Sequence, residues 1–431
     1  MLRRKELLRR SKKLNTIIII STVLILSSCS MENKTEISND LFKEFYEQII
    51  ASNDLSEKQK LADSLIAIGK IFPLVEDDTT VVFLYQGDAD SVAVLGDMGN
   101  WVDKYPMNKI EGTNLFYLRQ NYPSDARLEY WLLLGKAEFP ATDPLNPYKT
   151  LNGFGEISEL AMPHYNRHQY FEEYEFGKKG ELDLVNKYLL PAGILPYEHD
   201  VHVYLPPDYS LSNENYPVVY FQDGIDYIEF AQSPFVINKL IKDDLIKPVV
   251  AVFVTPPNRH IPEEPNRMTE YGMNDNYVKF FTDELVPWVD SKFRTINKSQ
   301  SRLVVGDSFG GLISTYIAFS RPDVFGSAYS QSGYHSFQKD KLIKKISETE
   351  KKNIKLYVDT GIYERKVGAA FLPKEEGDFL LGNRRLWDIL EKKNYDFVYK
   401  EYNEGHTWGN WRRHLIDALI YFFGTNKGLS N

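Results

Sequence analysis

Cysteine is nearly absent: Cys29 is the single one among 431 residues. A lone thiol closes no disulfide within the chain, so the fold must rest on its core. Positive charge is also short, with 51 Lys and Arg against 60 Asp and Glu and a formal net charge of −9. A chain this acidic carries no general footprint for nucleic acid, and an anionic substrate would need a local basic patch. Long apolar runs are missing too. The run Ile17 to Leu26 is too short and too N-terminal for a comfortable membrane-spanning helix. No internal repeat and no low-complexity tract is present. Aromatic residues are plentiful, at 14%, with 28 Tyr and 25 Phe. Such a content is common where carbohydrates or aromatic substrates are handled. The length allows two domains and a large core.

The first 29 residues carry seven basic side chains and one acidic; without them 44 basic residues face 59 acidic ones, a balance of −15. Basic Met1 to Lys13, the apolar run and Leu26-Ser-Ser-Cys29 have the order of a secretory signal. A Cys placed after small residues resembles a bacterial lipobox. That predicts cleavage before Cys29, lipidation of its sulfur and attachment to the bacterial envelope, on the periplasmic face or the cell surface. An uncleaved signal anchor with an incidental Cys is the alternative. With Cys29 acylated, no thiol nucleophile or thiolate ligand is left, and neither metal nor organic cofactor is expected.

Residues 30–76 read as a polar tether and a helical lead-in, with helical spacing of apolar residues over Leu41 to Ile50 and Ser56 to Ile68. The period then changes. Thr80 to Tyr85, Ser91 to Leu95, Leu115 to Arg119 and Leu128 to Leu134 read as short strands of a small all-β, Ig-like sandwich over residues 77–165. Two prolines in Asp143-Pro-Leu-Asn-Pro147 are expected to stop its regular structure. From residue 166 to 431, continuous apolar strands alternate with helices: Val201 to Leu205, Pro217 to Phe221, Pro248 to Val254, Leu303 to Val305, Ser327 to Ser330, Lys355 to Asp359 and Tyr395 to Tyr399. Helical stretches include Asn276 to Lys292 and Gly311 to Ser320. This alternation predicts an α/β fold with a mostly parallel sheet covered on both faces.

The chemistry centres on Arg302-Leu-Val-Val-Gly-Asp-Ser-Phe-Gly-Gly-Leu312, an apolar strand, then Gly306-x-Ser308-x-Gly310, then a helix. Strand, sharp turn and helix is the context in which G-x-S-x-G forms a nucleophile elbow. Side chains at Gly306 and Gly310 would clash, and the helix N-terminus under Ser308 favours developing negative charge. In an α/β-hydrolase order the acid and then the histidine follow the serine. Of the eight histidines only His335, His406 and His414 come later. His335 is too close to the nucleophile strand and His414 sits in the closing helix. His406, in a turn after a strand, is the expected general base. The acid is Glu364 or Asp359, both after one strand, with Glu364 better placed to reach His406. The oxyanion hole is expected from the N–H of Phe309 and that of Gly224 or Ile225.

These residues together resemble the enterochelin esterase branch of the esterase D-like α/β-hydrolases. The matching segments are Phe221-Gln-Asp-Gly224, Asn266-Arg-Met-Thr-Glu270, Asp283 to Trp288, Val305 to Leu312, Pro322-Asp-Val-Phe325, Ser330-Gln-Ser-Gly333 and Gly405-His406. Gly361-Ile-Tyr-Glu364 is similar to the segment that carries the family's acid. Ala141 to Pro147 with Glu159 to Pro163 is similar to the link between that family's N-terminal β domain and its hydrolase domain. Two departures stand out: the secretory signal, where such esterases are usually cytoplasmic, and Asp307 before the serine. The resemblance implies a serine esterase that forms an acyl-enzyme and cleaves a catecholate siderophore. A feruloyl or acetyl ester of a polysaccharide is the alternative substrate. Arg267 and Tyr334 are the expected substrate contacts, with Arg365, Lys366, Arg384 and Arg385 also available to a charged ferric complex. A membrane-tethered protein that binds a glycan or siderophore on an idle hydrolase fold is the alternative of another class.

Overall fold

The computed structural model describes residues 40–69, 72–153, 155–172, 184–257 and 265–430. The expected secretory signal and Cys29 lie outside these residues. Two helices open the described chain, α1 (Leu41–Ala51) and α2 (Leu55–Ile68). Asp54 caps α2 by accepting from the amides of Ser56 and Glu57. Phe42, Ile49, Ala62 and Leu65 recur at helical spacing and bury one face against Leu84 and Leu115 of the β domain.

The β domain pairs a four-stranded sheet with a six-stranded one. The first holds β1 (Leu74–Val75), β2 (Thr80–Gln86), β5 (Asn108–Lys109) and β6 (Leu115–Asn121). The second holds β3 (Val92–Gly96), β4 (Lys104–Pro106), β7 (Arg127–Leu134), β8 (Phe139–Ala141), β9 (Lys149–Asn152) and β10 (Gly155–Ala161). Val81 and Phe83 of one sheet meet Val94, Leu128, Tyr130 and Leu132 of the other in the core. Regular structure is expected to stop at the two prolines; instead two further strands follow them within the sandwich. After the prolines the chain returns as the β9–β10 hairpin, and β10 pairs antiparallel with β7 (Glu159 opposite Glu129). Asn146 makes this return possible. Its side chain donates to the Glu159 carbonyl at 2.8 Å and to the Tyr130 hydroxyl at 3.0 Å.

The remaining strands form one sheet of eight: β11 (Val185–Leu190), β12 (His199–Tyr204), β13 (Val218–Phe221), β14 (Val250–Thr255), β15 (Arg302–Asp307), β16 (Ser327–Gln331), β17 (Lys355–Gly361) and β18 (Asp396–Tyr402). Their order is β11-β12-β14-β13-β15-β16-β17-β18. β12 runs antiparallel to both neighbours, and every pair from β14 onward is parallel. In the central strands successive residues face opposite sides, and both sides are apolar. Val218, Tyr220 and Val304 pack on one face, Val219, Phe221, Leu303 and Val305 on the other. Helices cover both, among them α3 (Gly224–Glu229), α4 (Phe309–Ser320), α5 (Phe379–Lys392) and α6 (Trp408–Phe423). The stretch expected as one helix from Asn276 is α-helical over Asp275–Lys279, a π-turn over Phe280–Leu285 and α-helical again over Val286–Lys292. Among the described residues no helix is long and apolar enough to cross a membrane.

Candidate active site

Ser308 stands between β15 and α4 with φ 55° and ψ −118°, a conformation side chains rarely adopt. The strain is held by bonds on both sides of the residue. Its N–H donates to the Gln331 carbonyl at 2.9 Å, and its own carbonyl accepts from Tyr334 N at 2.9 Å. A Cβ at Gly306 would collide with the backbone of Gly310, so the elbow closes only with glycine there. Ser308 thereby stands at the C-terminal end of β15, directly before the first turn of α4.

His406 follows β18 in the turn before α6 and is half-buried. Its Nδ1 lies 3.0 Å from Glu364 Oε2. Phe379 and Trp411 stand edge-on to its ring at 5.1 and 4.9 Å and fix its plane. Glu364 is fully buried beyond β17. Its other oxygen accepts from Ser332 Oγ at 2.6 Å and from Gly361 N at 2.7 Å, and Trp411 Nε1 in turn donates to Ser332 Oγ at 2.9 Å. Both oxygens of the carboxylate are engaged, which orients it. With Nδ1 donating to Glu364, Nε2 is left as the basic nitrogen of the ring. Asp359, the other expected acid, lies at 2% exposure and accepts from Tyr329 Oη at 2.6 Å. Burial pushes its carboxyl up to about 7.

Phe309 is the first residue of α4, so its N–H has no partner within that helix. Gly224 and Ile225 open α3 beside the end of β13. The Ile225 N–H is taken up by Thr255 Oγ1 at 3.1 Å, which makes Gly224 the better donor. Arg267 meets Asp223 through two bonds of 2.6 and 2.7 Å, and its guanidinium also lies 3.6 Å from Asp307. Asp307, the acid before the serine, is thus a counter-ion of Arg267. The other four cations are paired as well: Arg365 with Asp378, Lys366 with Asp103, Arg384 with Glu401 and Arg385 with Asp340. Tyr334 does not face open space. At 1% exposure it stacks on Phe379 at 4.7 Å, and its hydroxyl donates to Glu376 at 2.6 Å. It supports the wall behind the serine.

Ser308, Phe309, Arg267 and His406 line one cavity of about 1060 Å³. Part of the wall comes from the β domain, through residues that include Leu95, Asp97, Asn100, Trp101, Trp131 and Ile157. Sequence reasoning named none of these. Asp97-Met-Gly-Asn-Trp101 reads as a plain turn after a strand; only two polar turn residues, Asp97 and Asn100, before a Trp hint at more. In the structure Asn100 Oδ1 accepts from the amides of Arg365 and Lys366 at 2.6 and 2.9 Å, just after Glu364. Asp97 packs so closely on Gly405, next to His406, that no Cβ fits there. One turn of the β domain thus touches both the acid loop and the histidine loop. Among the described residues no cluster of His, Cys, Asp and Glu could hold a metal ion.

The chain matches the esterase family model over residues 193–422, more than half its length. The Bacillus subtilis protein YjcH is 28% identical over 221 residues, covering 50% of this chain and 88% of that one. An iron(III) enterobactin esterase of Escherichia coli is 22% identical over 334 residues, 74% of this chain and 76% of that one. The crystal structure of enterobactin esterase from Shigella flexneri superposes with a TM-score of 0.66 at 19% identity, over 80% of this chain and 94% of that one. At that identity the superposition shows the fold. This likeness spans more of the chain than the family match does. The chain belongs to the esterase family, as a carboxylic ester hydrolase with an α/β-hydrolase domain behind an N-terminal β-rich region.

Proposed function

We propose that the protein is a serine esterase in which Ser308 attacks the ester carbonyl, His406 is the general base and Glu364 orients it. His406 Nε2 takes the hydroxyl proton as the Ser308 Oγ–carbon bond forms. The carbonyl oxygen, now negative, accepts from the N–H groups of Phe309 and Gly224. Imidazolium returns the proton to the departing alcohol, leaving an acyl-enzyme. Water, deprotonated by His406, then releases the acid. Glu364 holds Nδ1–H throughout and stabilises the imidazolium. The observation that carries this reading is the strained Ser308 sharing a cavity with a histidine whose Nδ1 is held by a buried, doubly anchored carboxylate.

For the substrate, a catecholate siderophore ester in its iron-free form fits best. The cavity is at the upper end of small-molecule clefts, large enough for a many-ringed ester. The five cations that could greet a trianionic ferric complex are already paired with carboxylates. Free catechols keep their protons near neutral pH and make no such demand. A feruloyl ester is the second reading, favoured by the same low charge and by an endo-1,4-β-xylanase/feruloyl esterase of Xylanibacter ruminicola, 29% identical over 147 residues.

The test measures hydrolysis of iron-free enterobactin, ferric enterobactin and methyl ferulate by the full chain beside Ser308→Ala. We expect iron-free enterobactin to be cleaved fastest, and the substitution to lower kcat by roughly 10³-fold or more. Faster cleavage of the ferric complex would overturn the charge reasoning, and turnover of ferulate alone would select the second reading. Failure of a fluorophosphonate to label Ser308, with no ester cleaved, would leave an idle binding fold.

A further inference from the structure

The β domain brings more to the cavity than closure. Along β7 side chains alternate: Leu128, Tyr130 and Leu132 enter the sandwich core, and Arg127, Glu129 and Trp131 leave by the other face. That other face is the docked one, because Arg127 bonds Asn410 of α6 at 3.0 Å. Trp131 carries the same face past the docking site into the cavity wall. Beside it stands Trp101, ring centroids 5.4 Å apart at 72°.

Neither tryptophan belongs to the sandwich core, and both are half-buried. The polar edge of each ring is satisfied within its own domain. Trp101 Nε1 donates to Asp97 Oδ1 at 2.9 Å, and Trp131 Nε1 donates to the Glu156 carbonyl at 3.1 Å. The rings are therefore fixed, and what they offer the cavity is apolar π surface. The backbone adds a second, independent sign. Asn100 and Trp101 both hold positive φ, 55° and 58°, although neither is glycine. Two successive residues in that region are costly, and such strain persists at sites where a side chain must be held in place. It places a large aromatic, with no core to fill, opposite the nucleophile's domain.

We propose that Trp101 and Trp131 form an aromatic subsite that binds a planar aromatic ring of the ester substrate while Ser308 attacks the ester. This rests on the esterase reading above and names what the substrate must carry. An aromatic ring fits better than a sugar ring, because the residues flanking the pair, Leu95, Val102 and Ile157, offer side chains without a hydrogen-bonding group. A sugar's hydroxyls would lose water against these three side chains and gain no partner from them.

The test compares methyl ferulate with methyl butanoate in the full chain, for wild type, Trp101→Phe, Trp131→Ala and the Trp101→Ala/Trp131→Ala double variant. The readout is the ratio of kcat/KM for the aromatic ester to that for the aliphatic one. We expect this ratio to fall about tenfold in the double variant, mainly through KM of the ferulate. Trp101→Phe, which keeps a ring, should retain most of it. A ratio unchanged in the double variant overturns the subsite. Calorimetric titration of methyl ferulate into Ser308→Ala, with and without the tryptophan substitutions, needs no turnover. If wild type cleaves neither ester, the esterase reading falls. Weaker binding in the tryptophan variants would then still uphold the subsite, and equal binding would overturn it.

Discussion

Asp359 and Glu364 show how two carboxylates on one strand end acquire different work. Glu364 accepts two fixed donors and faces His406; Asp359 is buried and its side chain accepts from the Tyr329 hydroxyl. Glu364→Gln should lower kcat on an aryl acetate by about 10²–10⁴-fold, through the wrong tautomer of His406. Asp359→Asn should leave kcat within a few-fold. The same pair of variants separates them in stability. Burial raises the Asp359 carboxyl above its unfolded value of 3.8 to about 7, so between those values the folded state holds a proton that the unfolded chain has released. Its contribution to stability therefore falls as pH rises from about 4 to about 7, by at most about 1.4 kcal/mol per pH unit. Asp359→Asn should flatten that slope relative to wild type in urea denaturation across this range. An identical slope in both proteins would mean that Asp359 is already ionised in the fold. The sequence brought both acids to the right strand end, because β17 is a continuous apolar run. The choice between them depends on Ser332, Gly361 and Trp411, whose approach is set by tertiary packing.

At the scale of elements, the elbow was legible in full because each of its parts has a local physical cause: an apolar strand, glycines where backbones touch, and a helix beneath. The same holds for α1, α2 and most strands of the eight-stranded sheet. β10 was not legible. Gly-Glu-Ile-Ser-Glu-Leu-Ala mixes charge with apolar residues because Glu159 faces Arg127 in a docked interface, where the usual rule of polar-outward alternation fails. The Asp97–Trp101 turn was hidden for a similar reason, since its partners lie more than 260 residues further along. Asn100 is a positioning residue, acting through the loop that carries Glu364. Asn100→Ala removes the acceptor for the amides of Arg365 and Lys366 and should lower kcat about tenfold with KM little changed. Asn100→Asp, which keeps an acceptor at the same reach, should restore most of the rate. If both variants lose KM and kcat alike, the turn acts only as a wall.

On the scale of the whole molecule, the two domains are joined by buried charge. Arg127, at 1% exposure, donates to Glu159 at 2.8 Å through Nε, to Glu129 at 2.9 Å and to Asn410 at 3.0 Å. Its backbone N–H also reaches the Asn403 carbonyl, in the loop leading to His406. Arg167 contacts Glu159 as well. A buried network of this kind contributes little net stability when intact, because each charge has been taken out of water. Removing one member is another matter, since the remaining carboxylates stay buried without their counter-ion. Arg127→Met should therefore destabilise the protein by about 3–5 kcal/mol in urea denaturation. Replacing the set, as Arg127→Met/Glu129→Gln/Glu159→Leu, should recover most of that loss. What the triple variant should not recover is activity. Arg127 sits on the face of β7 that carries Trp131, and its strand abuts the loop of His406, so apolar residues would hold the domains together without fixing how they meet. A stable triple variant with full kcat would show that the charges set only the strength of docking. A stable triple variant with reduced kcat would show that they set its register, and that the esterase site is complete only when the β domain is seated in one orientation.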